Sequence, residues 1–174
     1  MLKFGARTML VIGLVAAILP AVLLVAPRAQ AQGVTTQILS QYLDRMGLSW
    51  KRSEKDADVL LVGKTTGLKK AERVDMVITL IPKKDLVTIR AFPMTKGKYL
   101  GLAAVRNREK LMKSMLEDNA TAFGAYIVDD DGDIGFRYVF TTESGLGYEA
   151  FKVAVNELLR IADEPIMNLY AKYR

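Results

Sequence analysis

The sequence predicts an α+β fold in which an antiparallel β-sheet carries helices on one face. Two observations lead to this class. First, apolar residues recur at helical spacing in segments near both ends and in the middle of the chain. Second, runs rich in β-branched residues come in pairs that are joined by short turns. Short turns specify antiparallel hairpins, because a parallel pair needs a long crossover. The predicted order along the chain is α-β-β-β-α-β-β-α.

The first helix is predicted over residues 34–48. Its apolar residues recur at helical spacing, Thr35 or Thr36 supplies an N-cap, and Gly47 supplies the C-terminal stop. Two short extended segments follow on either side of a charged turn, at residues 49–52 and 59–64. These segments are the first predicted strands.

A hairpin is predicted next in the chain. Residues 73–81 and 86–92 are rich in β-branched side chains, and the turn between them begins at Pro82, whose ring fixes φ. Pro93 is predicted to end the second strand. A second helix is predicted within residues 103–118, where the apolar residues share one side and the charged residues share the other.

A second hairpin and a long helix complete the chain. Residues 122–128 and 134–142 are joined by an Asp-rich turn whose Gly132 can adopt a positive φ. The terminal helix is predicted over residues 145–163, on the evidence of an apolar stripe. Pro165 either ends this helix or offsets a short last helical piece.

The first residues of the chain have the composition of an export signal. Lys3 and Arg7 precede an apolar run over residues 9–26, and this region contains no acidic residue. Residues 29–31 (Ala-Gln-Ala) have the small-x-small pattern that signal peptidase cleaves. We therefore predict a signal peptide over residues 1–31.

Two outcomes are open for this segment. Cleavage after Ala31 would release a single domain of residues 32–174, so the protein is predicted to be periplasmic or secreted. The alternative is an uncleaved anchor, because the apolar run has 18 residues, close to the length that spans a bilayer. Membrane contact is predicted only in the second case.

The composition excludes several functional classes. The chain has 25 Lys and Arg against 19 Asp and Glu, with no His and no Cys. Disulfides, zinc sites built on Cys or His, Cys nucleophiles and Ser-His-Asp triads are therefore excluded. Removing residues 1–31 takes away three basic residues and lowers the net charge from +6 to +3, which does not favour nucleic-acid binding. We predict a non-enzyme with no cofactor and no nucleic-acid partner.

One face of the predicted sheet is strongly apolar and the other is mixed. The mixed face combines β-branched side chains with Arg and Thr, a composition typical of a partly wet contact surface. An ordinary solvated sheet face is the alternative interpretation. The predicted binding residues on the mixed face are Val77, Thr79, Arg90, Tyr126, Arg137 and Val139.

The Asp-rich turn is a weak calcium candidate through Asp129, Asp131 and Asp133, because Ca²⁺ prefers carboxylate oxygens. When Gly132 is aligned with the glycine of a helix–loop–helix calcium loop, apolar Ile127 falls at the first ligand position. The pattern therefore favours a tight hairpin turn and no metal site.

Two further hypotheses stay open at this stage. A small envelope hydrolase would need paired carboxylates or an activated serine, and Glu143, Glu149 and Ser144 lie near a predicted helix start. An anchored envelope protein would instead contact anionic lipid through a basic end, if seven lysines cluster there. These are the lysines at positions 64, 69, 70, 83, 84, 96 and 98.

Residues spread through the second half of the chain carry a family resemblance. They are Ser114-Met115-Leu116, Asn119, Phe123, the stretch 126–134, Phe151, Leu158 and Ala162-Asp163. In this pattern the chain resembles the YbjN-like family, which has a helix ending near an Asn, a strand, an Asp-x-Gly hairpin and a long terminal helix. That family shares its fold with type III secretion chaperones.

The resemblance spans about residues 38–163. It implies an α-β-β-β-α-β-β-α domain that is often dimeric, has no catalytic residues, and binds other proteins or takes part in regulation. We therefore expect a protein or peptide partner, which includes a second copy of the chain. The predicted export departs from the chaperone pattern and argues against a cytoplasmic secretion partner. The leading hypothesis is a non-enzymatic, exported, protein-binding or chaperone-like domain.

Overall fold

A single antiparallel sheet organises the part of the chain that the structure describes, residues 33–120 and 124–174 of a computed structural model. The strands are β1 (Trp50–Arg52), β2 (Val59–Lys64), β3 (Arg73–Ile81), β4 (Leu86–Thr95), β5 (Lys98–Tyr99), β6 (Ala125–Val128) and β7 (Ile134–Thr141). The helices are α1 (Thr36–Arg45), α2 (Arg108–Asn119), α3 (Tyr148–Ile161) and α4 (Met167–Tyr173). The strand order is β1-β2-β3-β4-β7-β6, with β5 beside β4.

The predicted fold class is confirmed, and the predicted helices and hairpins follow one another in the predicted order. All neighbouring strands are antiparallel, and the two predicted hairpins are β3–β4 and β6–β7. Between α1 and α2, the three long strands β2, β3 and β4 are accompanied by the short strands β1 and β5. β1 coincides with the predicted segment 49–52. β5 has only two residues, too few to leave a periodic signal.

Helix boundaries follow their capping residues. Thr35 caps α1, because its hydroxyl oxygen accepts a hydrogen bond from the Ile38 N–H at 3.2 Å. Gly47, at a φ of 65°, ends that helix as predicted. α2 begins later than predicted, after Asn107, whose side chain accepts from the Lys110 N–H. The residues before it form a 3₁₀ turn, Leu102–Ala104, instead of helix.

Pro93 does not end β4, contrary to the sequence-based prediction. The strand continues to Thr95, and Pro93 stays in register with Val74 of β3. On its other side, β4 pairs with β7 only as far as Ala91 and with β5 only from Met94 onward. Pro93 lies between these two stretches, where a strand tolerates a residue that has no N–H to donate.

The core lies between one face of the sheet and the helices. Side chains of β3, β4 and β7 that point to this face pack with α1 and α3 in one cluster of buried residues. Its largest fully buried members include Leu39, Leu43, Ile78, Ile89, Phe136 and Phe151. The described helices pack against this face, so within residues 33–120 and 124–174 no second layer covers the other face of the sheet.

The C-terminal helical segment continues beyond the predicted stop. A π-helical turn, Ala162–Ile166, contains Pro165 and joins α3 to α4 without an interruption. The proline therefore offsets a last helical piece, which is one of the two predicted outcomes. Extra residues in a helical turn relieve the clash and the missing hydrogen bond that proline imposes.

Two sequence-based predictions concern other parts of the chain. The predicted signal peptide, residues 1–31, lies outside the described residues, as do Ala122 and Phe123 at the start of the second predicted hairpin. Among the described residues, no helix has the length and apolar character needed to cross a membrane.

Asp163 ties the π-helical turn to the connection between β2 and β3. Its side chain is only 5% exposed, and its carboxylate oxygens accept the backbone N–H groups of Lys69, Lys70 and Ala71 at 2.6, 2.8 and 2.8 Å. Burial by itself would raise the pKa of this carboxyl group, but the three N–H donors outweigh it and hold the pKa below its ordinary value.

We expect D163A to lower the free energy of unfolding by about 3 kcal/mol, because it leaves three N–H groups without their acceptor. A folded-state pKa below the unfolded value means that the carboxylate stabilises the fold above the ordinary carboxyl pKa of 3.8. That contribution is lost as the pH falls through the folded-state value. Urea unfolding at neutral and acidic pH measures both effects.

The exposed Asp130 supplies the control D130A, which should change stability by less than about 0.5 kcal/mol. An equal effect of the two variants would contradict this role of Asp163.

Candidate functional site

The side of the sheet that faces away from α1 and α3 is called here the open face. Five of the six predicted binding residues lie on it, and the strand register brings them together. Val77, Arg90 and Arg137 form one row across β3, β4 and β7, and Thr79 and Val139 belong to the next row, with Thr88 between them. Directly opposed residues on antiparallel strands share a face, so these side chains form one continuous patch.

Tyr126 does not belong to this patch. It lies opposite the buried Phe136 and therefore points to the helix-covered face. The two rings meet edge to face, with centroids 5.1 Å apart. Burial raises the pKa of the Tyr126 hydroxyl, and the charge of Asp118 adds to the effect. The sequence pattern of β6 misassigned this face because the strand has only four residues, too few to fix its register with β7.

The open face is positively charged and partly apolar. Val139 is 46% exposed, Arg137 is exposed, and Val77, Thr79 and Arg90 are half-buried. Lys51 and Leu61 continue the row of Val77 onto β1 and β2. These two residues join the patch through pairing of separate hairpins, which no local pattern indicates.

One end of the open face carries a hydrogen-bonded cluster around Asp75. Its carboxylate accepts from Arg73 Nε at 2.6 Å and from the Tyr99 hydroxyl at 2.7 Å. The Tyr99 ring stands edge to face against Phe92, with centroids 6.2 Å apart. Phe92 in turn covers Gly135, where a Cβ atom would lie 2.6 Å from its ring. Glycine is therefore required there for the aromatic ring to lie flat on the sheet.

A cleft of about 520 Å³ lies beside this cluster. Its walls include Lys51, Leu61, Asp75, Val77 and Tyr99, so it is continuous with the patch of predicted residues. The alternation of side chains along β3 places Asp75 on the mixed face. No sequence pattern places Tyr99 there, because β5 has only two residues. The cleft offers apolar walls with one carboxylate that is already engaged, which suits binding better than proton transfer.

Neither edge of the sheet is well suited to pairing with a strand of another chain, whereas the open face can accept a docked segment. β6 is an edge strand, and the Asn119 side chain occupies its free side by accepting from the Tyr126 N–H at 2.6 Å and donating to the Tyr126 carbonyl at 3.4 Å. The opposite edge, β1, has only three residues. A blocked edge and a short edge both discourage pairing with another chain.

The calcium candidate forms a hydrogen-bonded turn. Asp129 Oδ1 accepts the backbone N–H groups of Asp131 and Asp133 at 3.1 and 2.8 Å, and Gly132 has a φ of 83°. Burial and the two neighbouring carboxylates raise the pKa of Asp133. Within residues 33–120 and 124–174, no group of three or more acidic side chains is arranged to hold a metal ion. The carboxylate of Asp129 therefore holds the hairpin turn together through its hydrogen bonds.

The groups considered for hydrolysis lie at the start of α3 and in the loop before it. α3 begins after Gly147, so Ser144 does not cap it, and Glu149 is exposed and lies 3.7 Å from Lys152. A second cleft of about 310 Å³ contains Glu157, whose pKa is lowered by its hydrogen bonds to Arg160. A general acid needs a raised pKa, which is the opposite shift.

The lysines considered for lipid contact are divided between the two ends of the sheet. The β3–β4 turn contains Lys83 and Lys84, whereas the remaining five belong to the other end. Of these five, Lys69 forms an ion pair with Glu164 at 2.7 Å, and Lys70 Nζ contacts the Asn168 side chain. Five of the seven lysines therefore share one end of the sheet, and two of these five are engaged by side chains of the C-terminal helical segment.

Comparison with known proteins shows the fold class. No protein-family model and no curated protein matches the chain. The chain is similar to the crystal structure of YbjN from E. coli, a candidate transcription regulator, with 17% identity and a TM-score of 0.55 over 80% of this chain and 93% of that one. It is also similar to a chain of the ExsC–ExsE complex, with 16% identity and a TM-score of 0.56 over 79% and 96% of the two chains. The chain therefore has a YbjN-like α+β fold.

The cluster around Asp75 predicts an abnormal tyrosine titration. Burial, together with the hydrogen bond to Asp75 and its charge, raises the pKa of Tyr99 to about 12. We expect phenolate absorbance to show a late-titrating tyrosine that is absent in Y99F. In D75N, this tyrosine should titrate closer to its ordinary pKa of 10.0. The exposed Asp85 supplies the control D85N, and an equal shift in both Asp variants would contradict the role of Asp75.

Proposed function

We propose that the chain is a non-enzymatic protein-binding module that holds a segment of a partner protein on its open face. The observation that carries this proposal is the patch of Val77, Thr79, Arg90, Arg137 and Val139, which the described helices leave uncovered. Contact surfaces differ from ordinary sheet faces in combining apolar side chains with Arg.

The solved structures of similar fold support the same role. One of them is a complex of two proteins, and the other is a candidate transcription regulator. In the present chain, the blocked β6 edge and the short β1 edge both discourage strand pairing, whereas the described helices leave the open face uncovered.

The proposed place of action is outside the cytoplasm. Residues 1–31 would act as a signal peptide that delivers the domain to the periplasm or the medium, as their charge and apolar run indicate. The mass of the protein recovered from the host cell tests this. A mature N-terminus at Gln32 supports export with cleavage, and an intact Met1 would favour the anchored form.

We expect a photo-crosslinking amino acid at Val139 to form a discrete adduct with another protein in intact cells. The same amino acid at Val153 is the matched control, because Val153 is 67% exposed but belongs to α3. Mass spectrometry identifies the adduct and locates the crosslinked segment. Adducts only between copies of this chain would assign the face to a homodimer instead.

A loss-of-binding variant accompanies this experiment. With the crosslinker at Thr88, introducing V77R and V139R together should abolish the adduct, because bulky charges would cover the apolar part of the patch. V153R should leave it unchanged. If neither Val139 nor Thr88 forms an adduct, or if V77R and V139R have no effect, the proposed function fails.

A further inference from the structure

The open face carries two arginine charges that are not paired within the described part of the chain. Arg90 of β4 and Arg137 of β7 lie directly opposite each other, and no ion pair or side-chain hydrogen bond in the described part of the chain involves either guanidinium. All 19 Asp and Glu residues of the sequence lie within the described ranges. In the adjacent row on this face, the carboxylate of Asp75 is engaged by Arg73 and Tyr99.

This arrangement is unfavourable for the isolated domain. Like charges directly opposed on neighbouring strands destabilise a sheet, whereas opposite charges or β-branched pairs at the same positions stabilise it. Arg90 is half-buried, so its charge is screened less than that of a fully exposed side chain. Two arginines at this position are therefore better explained by an anion that the chain does not itself supply.

The surroundings of the arginine pair define the chemistry of that anion. Val77 lies beside Arg90 in the same row, and Ala125 lies beside Arg137. The next row contains Thr88 and Val139. A ligand that covers this area must place negative charge at its centre and apolar groups around it. Arginine binds carboxylates through two parallel hydrogen bonds, which makes a carboxylate pair a suitable centre.

We propose that the open face binds an amphipathic helical segment of a partner protein whose apolar side includes two carboxylates, and that these engage Arg90 and Arg137. This inference rests on the proposed function and adds the chemistry of the partner. A helix fits better than an extended segment, because β3, β4 and β7 already use their backbone groups within the sheet and a helix satisfies its own.

Other occupants of the open face agree less well with these charges. Two copies stacked face to face about a twofold axis would bring the same arginine-rich row against itself. Residues 1–31 contain three basic residues and no acid, so they do not complement it. A nucleic acid requires a track of cations along its backbone, whereas the arginine pair is bordered by Val77, Ala125 and Val139.

Model peptides test the proposal on the full-length chain. The probe is a fluorescent helical peptide of Leu, Ala and Glu, with two Glu residues one turn apart on its leucine side. The control peptide has Gln at these two positions. We expect the Glu peptide to bind about tenfold more tightly than the Gln peptide at low salt, because charge-assisted bonds to Arg are lost with Gln. Fluorescence anisotropy measures both affinities.

Charge reversal gives the sharpest variant. R90E with R137E should abolish the preference for the Glu peptide and create one for the corresponding Lys peptide. Arg106 and Lys110 are exposed and lie away from the sheet, so R106E with K110E changes the net charge equally and should keep the original preference. The single variant R90E should also raise the melting temperature by about 1–3 °C, since it replaces a like-charge pair with an ion pair.

Several outcomes would overturn the proposal. Equal affinity of the wild-type chain for the Glu and Gln peptides would do so, as would loss of the Glu preference in the R106E and K110E variant. A single-stranded oligonucleotide or an anionic lipid vesicle that binds more tightly through Arg90 and Arg137 would assign the face to another ligand class. If the Glu preference is absent while Val139 still crosslinks to a partner, the partner chemistry is wrong and the proposed function stands.

Discussion

The buried carboxylate of Asp163 joins the helical layer to the sheet, and the arrangement of the two depends on it. Its three hydrogen bonds to residues 69–71 fasten the π-helical turn to the connection that leads into β3. The turn also accommodates Pro165, so α4 can follow α3 and close the core through Ile166 and Tyr170. A charge buried in this way is stable because both of its carboxylate oxygens accept hydrogen bonds from backbone N–H groups.

The one-sided packing of helices has a direct consequence for binding. Since α1 and α3 cover the same face, the alternation of side chains along β3 and β4 sends one set of residues into the core. The other set has no covering layer in the part of the chain that the structure describes. At one end of the open face, Tyr99 and Phe92 provide partial cover from within the chain. Further along, the described residues provide no such cover for the patch centred on Arg90 and Arg137.

The edges and the open face of the sheet differ in how far they are protected from contact with another chain. Asn119 imitates the hydrogen bonds of a neighbouring strand at Tyr126, which satisfies the edge and prevents further pairing. The open face is not protected in an equivalent way: it combines exposed Val139 with like-charged arginines. Other residues at these positions would make the sheet more stable. Residues that lower the stability of a fold are expected where a surface has a function.

The sequence by itself determined the fold class, both hairpins, the helix caps at Thr35 and Gly47 and the placement of five of the six predicted binding residues on the open face, because side-chain periodicity and turn chemistry are local properties. Tertiary structure decided the rest. The face of Tyr126, the continuation of β4 through Pro93, the contribution of Tyr99 and the opposition of Arg90 to Arg137 all depend on which strands become neighbours and in what register. Register is fixed by contacts between residues far apart in the chain, and no local pattern encodes those contacts.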